Sequence, residues 1–360
     1  MGHAQYVNIN NVTDNAESQN IASSHTGLDT CQNDVTPTIL ENNYDFDNLK
    51  IVSYNVDGLL SKLQDFDFIH FIESYDVVCL LETYMCDNVL PKHMFKSFLP
   101  VFFYPAILSP GYGRNSGGII ILVKLKYKNI VSRIETDFHG SIVLLFKDVF
   151  EGERNDLILI SSYIHPYGST FYCNLEDKNG INLFEHSFFK LYNKYKKAEF
   201  IISGDFNARI GDTQPFEDLQ VAEKYMGNVN SLSFFDSFDY ESLSRLSEDK
   251  TINLFGKSFC ELIASFNLIV LNGLRHGDDT GCFTFISPTG SSVIDYYLVS
   301  ETLMNYSINM SIPWRTESFH MPICLCFDLP TRQRKILNEK KTVDSKYMKW
   351  DIEKNGQFLE

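Results

Sequence analysis

Apolar residues gather along this chain in short β-rich runs, each stopped by polar residues. The runs fall at 49–54, 77–81 (VVCLL), 118–123 (GIIILV), 141–146 (SIVLLF), 157–163 (LILISSY) and 199–203 (EFIIS). Four more follow at 268–271 (LIVL), 282–286 (CFTFI), 293–299 (VIDYYLV) and 321–327 (MPICLCF). Each predicts a strand. A helical period appears over 252–266, where Phe255, Phe259, Leu262, Ile263 and Phe266 share one face. Residues 62–74 and 182–197 carry the same period. So many strands with so few helices cannot form a simple βαβ wheel. Two packed sheets with helices on their outer faces bury this apolar surface better.

The ends of the chain differ from this middle. Residues 1–48 are rich in Asn, Asp, Thr and Ser without an apolar period, and read as a disordered acidic leader. From Thr331 the chain is polar, with RQRK and NEKK runs, and reads as a basic tail outside the packed domain. The folded core is expected over 49–330.

Composition narrows the class. The 360 residues are 44% hydrophobic and 14% aromatic, which fits a globular protein with a substantial core. A net charge of −15 is unusual for a protein whose whole surface binds nucleic acid, and it leaves open a local basic groove or contact through bound cations. The 8 cysteines lack CxxC or metal-type spacing and read as reduced thiols of an intracellular protein. No apolar run is long enough for a bilayer, and the N-terminus lacks the regions of a signal peptide. A soluble nuclear or cytoplasmic protein without membrane contact is expected.

Polar residues stand at or beside the ends of the apolar runs. They are Asn55 and Asp57 in VSYNVDGL, Glu82 in LLETYM, Tyr163 in SSYIHP, and Asp205 with Asn207 in SGDFNAR. Asp295 in VIDYYLVS and His320 in SFHMPI complete the group. Singly, each has an ordinary structural explanation, as a turn former, a helix-start carboxylate or a satisfied core residue. Together they are the inventory of metal-assisted phosphoester hydrolysis. Carboxylates suit a hard cation such as Mg²⁺, or Mn²⁺ in its place. A carboxylate base deprotonates water, and Asn, Tyr and His stabilise charge developing on phosphoryl oxygens.

The order Asn, Glu, Tyr, GDFN, IDY and S-x-H-x-P resembles the endonuclease/exonuclease/phosphatase superfamily, which includes apurinic endonucleases. GDFNARIGD, NLFGKSFCELIASFNLIVLNG and GDDTGCFTFISPTGSSVIDYYLVS, with KYMKWDIEKNGQF in the tail, resemble the endonuclease segment of invertebrate non-LTR retrotransposon polyproteins. The resemblance covers about 49–330. It implies a four-layered α/β sandwich, a DNA substrate, a monomer with no obligate protein partner, and a nick that leaves a 3′-hydroxyl. It also implies roles. Glu82 is the principal metal ligand with Asn55 beside it, and Asp57 is a nearby metal residue. Asp205 orients or deprotonates water, Asn207 contacts the scissile phosphate, and Tyr163 bonds the phosphate or nucleophile. His320, held by Asp295, stabilises the phosphorane-like charge.

One position departs from that family. Its last motif reads Ser-Asp-His, and this chain has Ser318-Phe319-His320. Phe neither ligates a cation nor accepts a hydrogen bond, which puts metal affinity in doubt. Two further functions therefore stand beside the nuclease. One is an impaired relative retained for binding. The other is a phosphatase or phosphodiesterase acting on lipid, inositol or RNA substrates.

Overall fold

Eight of the ten apolar runs become the inner strands of two six-stranded sheets, while 268–271 forms an edge strand and 282–286 enters a separate hairpin. The computed structural model describes residues 48–88, 90, 94–108, 113–150, 152–175, 177–215, 244–274 and 277–329. The acidic leader, apart from its last residue, and the basic tail expected at 331–360 lie outside the described residues.

The first sheet has the order β13-β14-β1-β2-β4-β3, formed by Ile308–Ser311, Ile323–Asp328, Asn48–Asn55, Val77–Leu81, Ile119–Val123 and Phe102–Tyr104. The second has the order β5-β6-β7-β8-β12-β9, formed by Val131–Ile134, Ser141–Phe146, Asp156–Tyr163, Ala198–Asp205, Asp295–Ser300 and Leu268–Val270. Phe285–Ser287 (β10) and Gly290–Ser292 (β11) make a separate hairpin. Every residue of β2, β4 and β6 is buried, because both faces of these strands are covered.

Three apolar layers separate and cover the sheets. The middle one, with Ile51, Leu81, Ile121, Leu144, Leu159, Ile201, Tyr297 and Leu325, lies between them. Helix α1 (Phe66–Glu73) covers the outer face of the first sheet through Phe68 and Ile72. Helices α2 (Gly180–Lys194) and α3 (Leu254–Ser265) cover the second through Phe184, Phe188, Phe259 and Leu262. This is the four-layered α/β sandwich expected from the sequence.

The helical stretch expected at 62–74 is broken. A 3₁₀ turn over Lys62–Gln64 precedes α1, and between them Asp65 caps the helix by accepting from the Asp67 and Phe68 amides at 2.9 and 3.4 Å. The run at 282–286 is strand only from Phe285. Thr284 is drawn elsewhere, its Oγ1 accepting from the Ile294 and Asp295 amides at 3.0 Å each. Among the described residues no disulfide forms, and no helix is long and apolar enough to cross a membrane.

Candidate active site

Strand register gathers the polar residues. In the first sheet β1 runs parallel to β2 with Asn55 opposite Leu81, so Glu82 emerges just past the end of the pair. In the second, parallel β7 and β8 end with Tyr163 opposite Asp205. Strand β12 runs antiparallel to β8 and enters with Asp295 opposite that same Asp205. Tyr163, Asp205 and Asp295 thus form one row across three strands. Both parallel pairs close at the same end of the sandwich.

The side chains meet there. Asn55 Nδ2 donates to Glu82 Oε2 and to Asp205 Oδ2, each at 2.9 Å. Asp205 Oδ1 accepts from the Asn207 amide at 3.0 Å. His320 Nδ1 lies 2.9 Å from Asp295 Oδ2, and its Nε2 faces Asp205 Oδ2 at 3.8 Å. Ser318 fixes the histidine segment, since its Oγ donates to the Asn55 carbonyl at 2.8 Å and accepts the His320 amide at 3.1 Å. Asn207 Nδ2 donates to the Ile164 carbonyl at 2.9 Å, tying the turn after β8 to the turn after β7.

The backbone bends sharply to achieve this. Asp57, Glu82, Tyr84 and Asn207 all have positive φ, between 46° and 57°, a region that costs non-glycine residues energy and clusters at functional sites. Gly204 is required on steric grounds. A Cβ there would lie 1.9 Å from the Ser162 carbonyl oxygen, so only glycine lets β7 and β8 close beside Asp205. The turn after β8 is anchored by Phe206, stacked on Phe259 at 4.5 Å, worth about 0.5–1.5 kcal/mol beyond area burial. Asn253, the α3 N-cap, accepts from the Gly256 and Arg209 amides and donates to the Asn207 carbonyl at 3.1 Å.

Burial and crowding shape the charges. Asp205, 1% exposed, is pushed up to about 8 by burial and by Asp295, against the pull of His320. Burial disfavours the His320 imidazolium, yet Asp295, Asp205 and Glu82 together hold it up at about 9. Tyr163 is held well above its usual value by burial and by the charges of Glu82 and Asp205.

Glu82, Asp205 and His320 each bring a ligand-capable atom within 4.8 Å of the others. This donor set fits a divalent cation. Two carboxylates converge on one buried point, and the positive end of the Asn55 carboxamide now lies between them. Asn55 Oδ1 accepts from the Asp57 amide at 3.1 Å. Asp57 itself stands outside that group. Its Oδ1 accepts from the Tyr84 hydroxyl at 2.6 Å and pairs with Arg114 Nη1 at 2.8 Å. Tyr84, Arg114 and His165 were not among the residues expected from the sequence. Tyr84 and His165 carried a signal, each two positions past an expected residue, Glu82 and Tyr163, whereas Arg114 lies in a Gly- and Ser-rich segment without a pattern. His165 is buried against Tyr163 and Phe171, with ring centroids at 4.8 and 4.2 Å.

A profile described as the Endonuclease/Exonuclease/phosphatase family matches residues 52–303. Asn55, Glu82, Tyr163, Asp205 and Asp295 lie inside that span, and His320 lies beyond it. A sequence search of curated proteins gave no match. Among solved structures, the chain is similar to the AP endonuclease LMAP from Leishmania major, with a TM-score of 0.53 and 15% identity over 79% of this chain and 89% of that one. It is also similar to the 3′ phosphatase NExo from Neisseria bound to a product DNA hairpin, with a TM-score of 0.51 and 14% identity over 78% and 99% of the two chains. At these identities the likeness is one of fold.

Proposed function

From the premise that this chain belongs to the endonuclease/exonuclease/phosphatase family, we propose that it is a metal-dependent phosphodiester hydrolase that nicks DNA and leaves a 3′-hydroxyl. The observation that carries the proposal is the convergence of Asn55, Glu82, Asp205 and His320 from opposite sheets on one point. The series GDFNARIGD, NLFGKSFCELIASFNLIVLNG and GDDTGCFTFISPTGSSVIDYYLVS supports an origin in a non-LTR retrotransposon.

Glu82, with Asn55 beside it, would hold Mg²⁺ or Mn²⁺, and Asp205 faces them across the site. When bound, the cation supplies charge neutralisation and Lewis acidity at the phosphate. Asp205 takes the proton of the attacking water, its Oδ1 fixed by the Asn207 amide so that Oδ2 faces the reaction. His320, oriented through Nδ1 by Asp295, presents Nε2–H to a non-bridging phosphate oxygen as negative charge builds there. The Tyr163 hydroxyl stays protonated and donates. Asn207 adds a phosphate contact, and Asp57 acts at the margin through Arg114 and Tyr84.

The test is nicking of supercoiled plasmid by purified protein in Mg²⁺ and in EDTA, followed by polymerase extension from the nick. Mg²⁺-dependent open circles with extendable ends are expected. Removal of phosphate from 3′-phosphorylated or inositol substrates, with intact plasmid, would move the assignment to a phosphatase. A folded protein that binds DNA and cleaves nothing would leave the binding-only reading, to which Phe319 is the pointer.

A further inference from the structure

Phe319 immediately precedes His320 and is 50% exposed, whereas His320 is 6% exposed. The backbone on either side is fixed. The Phe319 carbonyl accepts from the Ile286 amide at 2.8 Å, the Met321 amide donates to the Thr284 carbonyl at 2.6 Å, and Phe285 bridges to His320. Phe319 is therefore rigidly placed, not a side chain on a loose loop. Its ring centroid lies 6.4 Å from that of Phe285, and Phe285 in turn lies 4.9 Å from the His320 ring. Phe285 thus borders the imidazole that faces Asp205, and Phe319 lies beyond it on the outer side, half in solvent.

The charge of the chain bears on what that ring could contact. A net charge of −15 provides little of the phosphate attraction that supplies most nucleic-acid affinity. Base stacking on an aromatic face is insensitive to that handicap and to base identity. A base already stacked between neighbours in an intact duplex does not offer its face, and an unpaired one does.

We propose that Phe319, backed by Phe285, is a stacking platform for an unpaired nucleobase adjoining the scissile phosphate, so that DNA with unpaired or destacked nucleotides is the favoured substrate. This rests on the nuclease reading of the same site. It gives Phe319 a function in place of the carboxylate that the resemblance implies there. The platform selects substrate, while the hydrolytic groups are those already named.

Two measurements on the full chain separate this proposal from the nuclease reading. The first is quenching of 2-aminopurine in a single-stranded oligonucleotide and in a duplex with a central unpaired segment, measured in EDTA so that no turnover is needed. Wild type should quench the unpaired probe, and Phe319→Ala should lose that quenching and bind about 5- to 150-fold more weakly. Phe319→Trp should restore both. Phe319→Leu keeps apolar bulk without an aromatic face and should behave like Phe319→Ala. The second is kcat/KM in Mg²⁺ on the segment-opened and fully paired duplexes. Wild type should favour the opened duplex, with the preference collapsing in Phe319→Ala mainly through KM. Mg²⁺-dependent nicking with no quenching, or with equal losses on both duplexes, overturns the platform and leaves the nuclease standing. Quenching that depends on the ring, in a protein that never nicks, supports the platform and sinks the nuclease. No binding to either probe overturns the platform.

Discussion

Asn55 and Asp205 stand 150 residues apart in the chain, and Asn55 Nδ2 donates to Asp205 Oδ2 at 2.9 Å. Asn55 closes β1 of the first sheet, and Asp205 closes β8 of the second. The bond therefore crosses between the sheets at the point where the candidate chemistry assembles.

Asp205→Asn should lower nicking by about 10²-fold or more, because it removes the proposed base while keeping the shape of the site. Stability should move the other way. A carboxyl raised to about 8 when folded, against 3.8 when free, binds its proton more tightly in the native state. Wild type in EDTA then loses stability as pH rises from about 4 to about 8, and the Asn variant lacks that loss. Thermal unfolding at pH 5, 6.5 and 8 should show the variant gaining on wild type at each step. A variant that loses ground with rising pH would contradict the assignment of a raised Asp205.

Mg²⁺ should stabilise the native state in proportion to its occupancy, by about 2.7 kcal/mol at 100 times its dissociation constant. Removing the cation with EDTA should reverse the gain. Glu82→Gln keeps the volume and loses the anionic oxygen, so its melting temperature should respond far less to the same titration. Equal shifts in both proteins would place the cation elsewhere.

Gly204→Ala should disrupt the fold and not merely the site. The added methyl would lie 1.9 Å from a backbone carbonyl of the neighbouring strand, at a φ of +149°. The carbonyl cannot swing away as a flexible side chain could, so β7 and β8 must part. A loss on the order of 3 kcal/mol or more is expected in urea unfolding. An unchanged midpoint would show that the strands separate at little cost.

His165 should make the fold sensitive to mild acid. Burial holds it at about 4, below its ordinary 6.5. The unfolded chain therefore takes up this proton first as pH falls, and stability is lost from about pH 6.5 down to about pH 4. The loss at the lower end is on the order of 2–3 kcal/mol. His165→Phe retains a ring against Phe171 and should show a shallower decline between pH 7 and 4.5. An identical decline would move the acid sensitivity to other groups.

The central strands were legible because both their faces are covered, so that Ile119–Val123 and Ser141–Phe146 read as solid apolar runs. Shorter strands at the margins were not. Phe102–Tyr104 is half-buried throughout, and Ile308–Ser311 alternates buried and exposed over four residues, too briefly for a period to emerge. The same contrast holds in the site. Asn55, Glu82, Tyr163, Asp205 and Asp295 stand where strands end or begin, so a run that stops on a polar residue marks them. The grip of Ser318 on the Asn55 carbonyl spans 263 residues, and that of Arg114 on Asp57 spans 57. Such pairings follow from the course of loops, which local pattern does not encode. Phe319 was read from the sequence as a lost carboxylate, and its half-exposed ring beside Phe285 is visible only in space.

The apolar layer between the sheets has a second duty. Asn55 and Glu82 ride on one sheet, and Asp205, Asp295 and Tyr163 on the other, so the thickness of the filling between them sets the gap across which they act. Leu81, Ile119, Ile201, Tyr297 and Ile323 belong to that filling. A bulkier or smaller side chain there would alter the distance between the proposed catalytic groups even where the fold tolerated it. The residues under α1 and behind α2 and α3 set no such gap. Equal losses of stability in the three layers should therefore carry unequal losses of activity, with the innermost layer acting as a spacer calibrated by the chemistry at its rim.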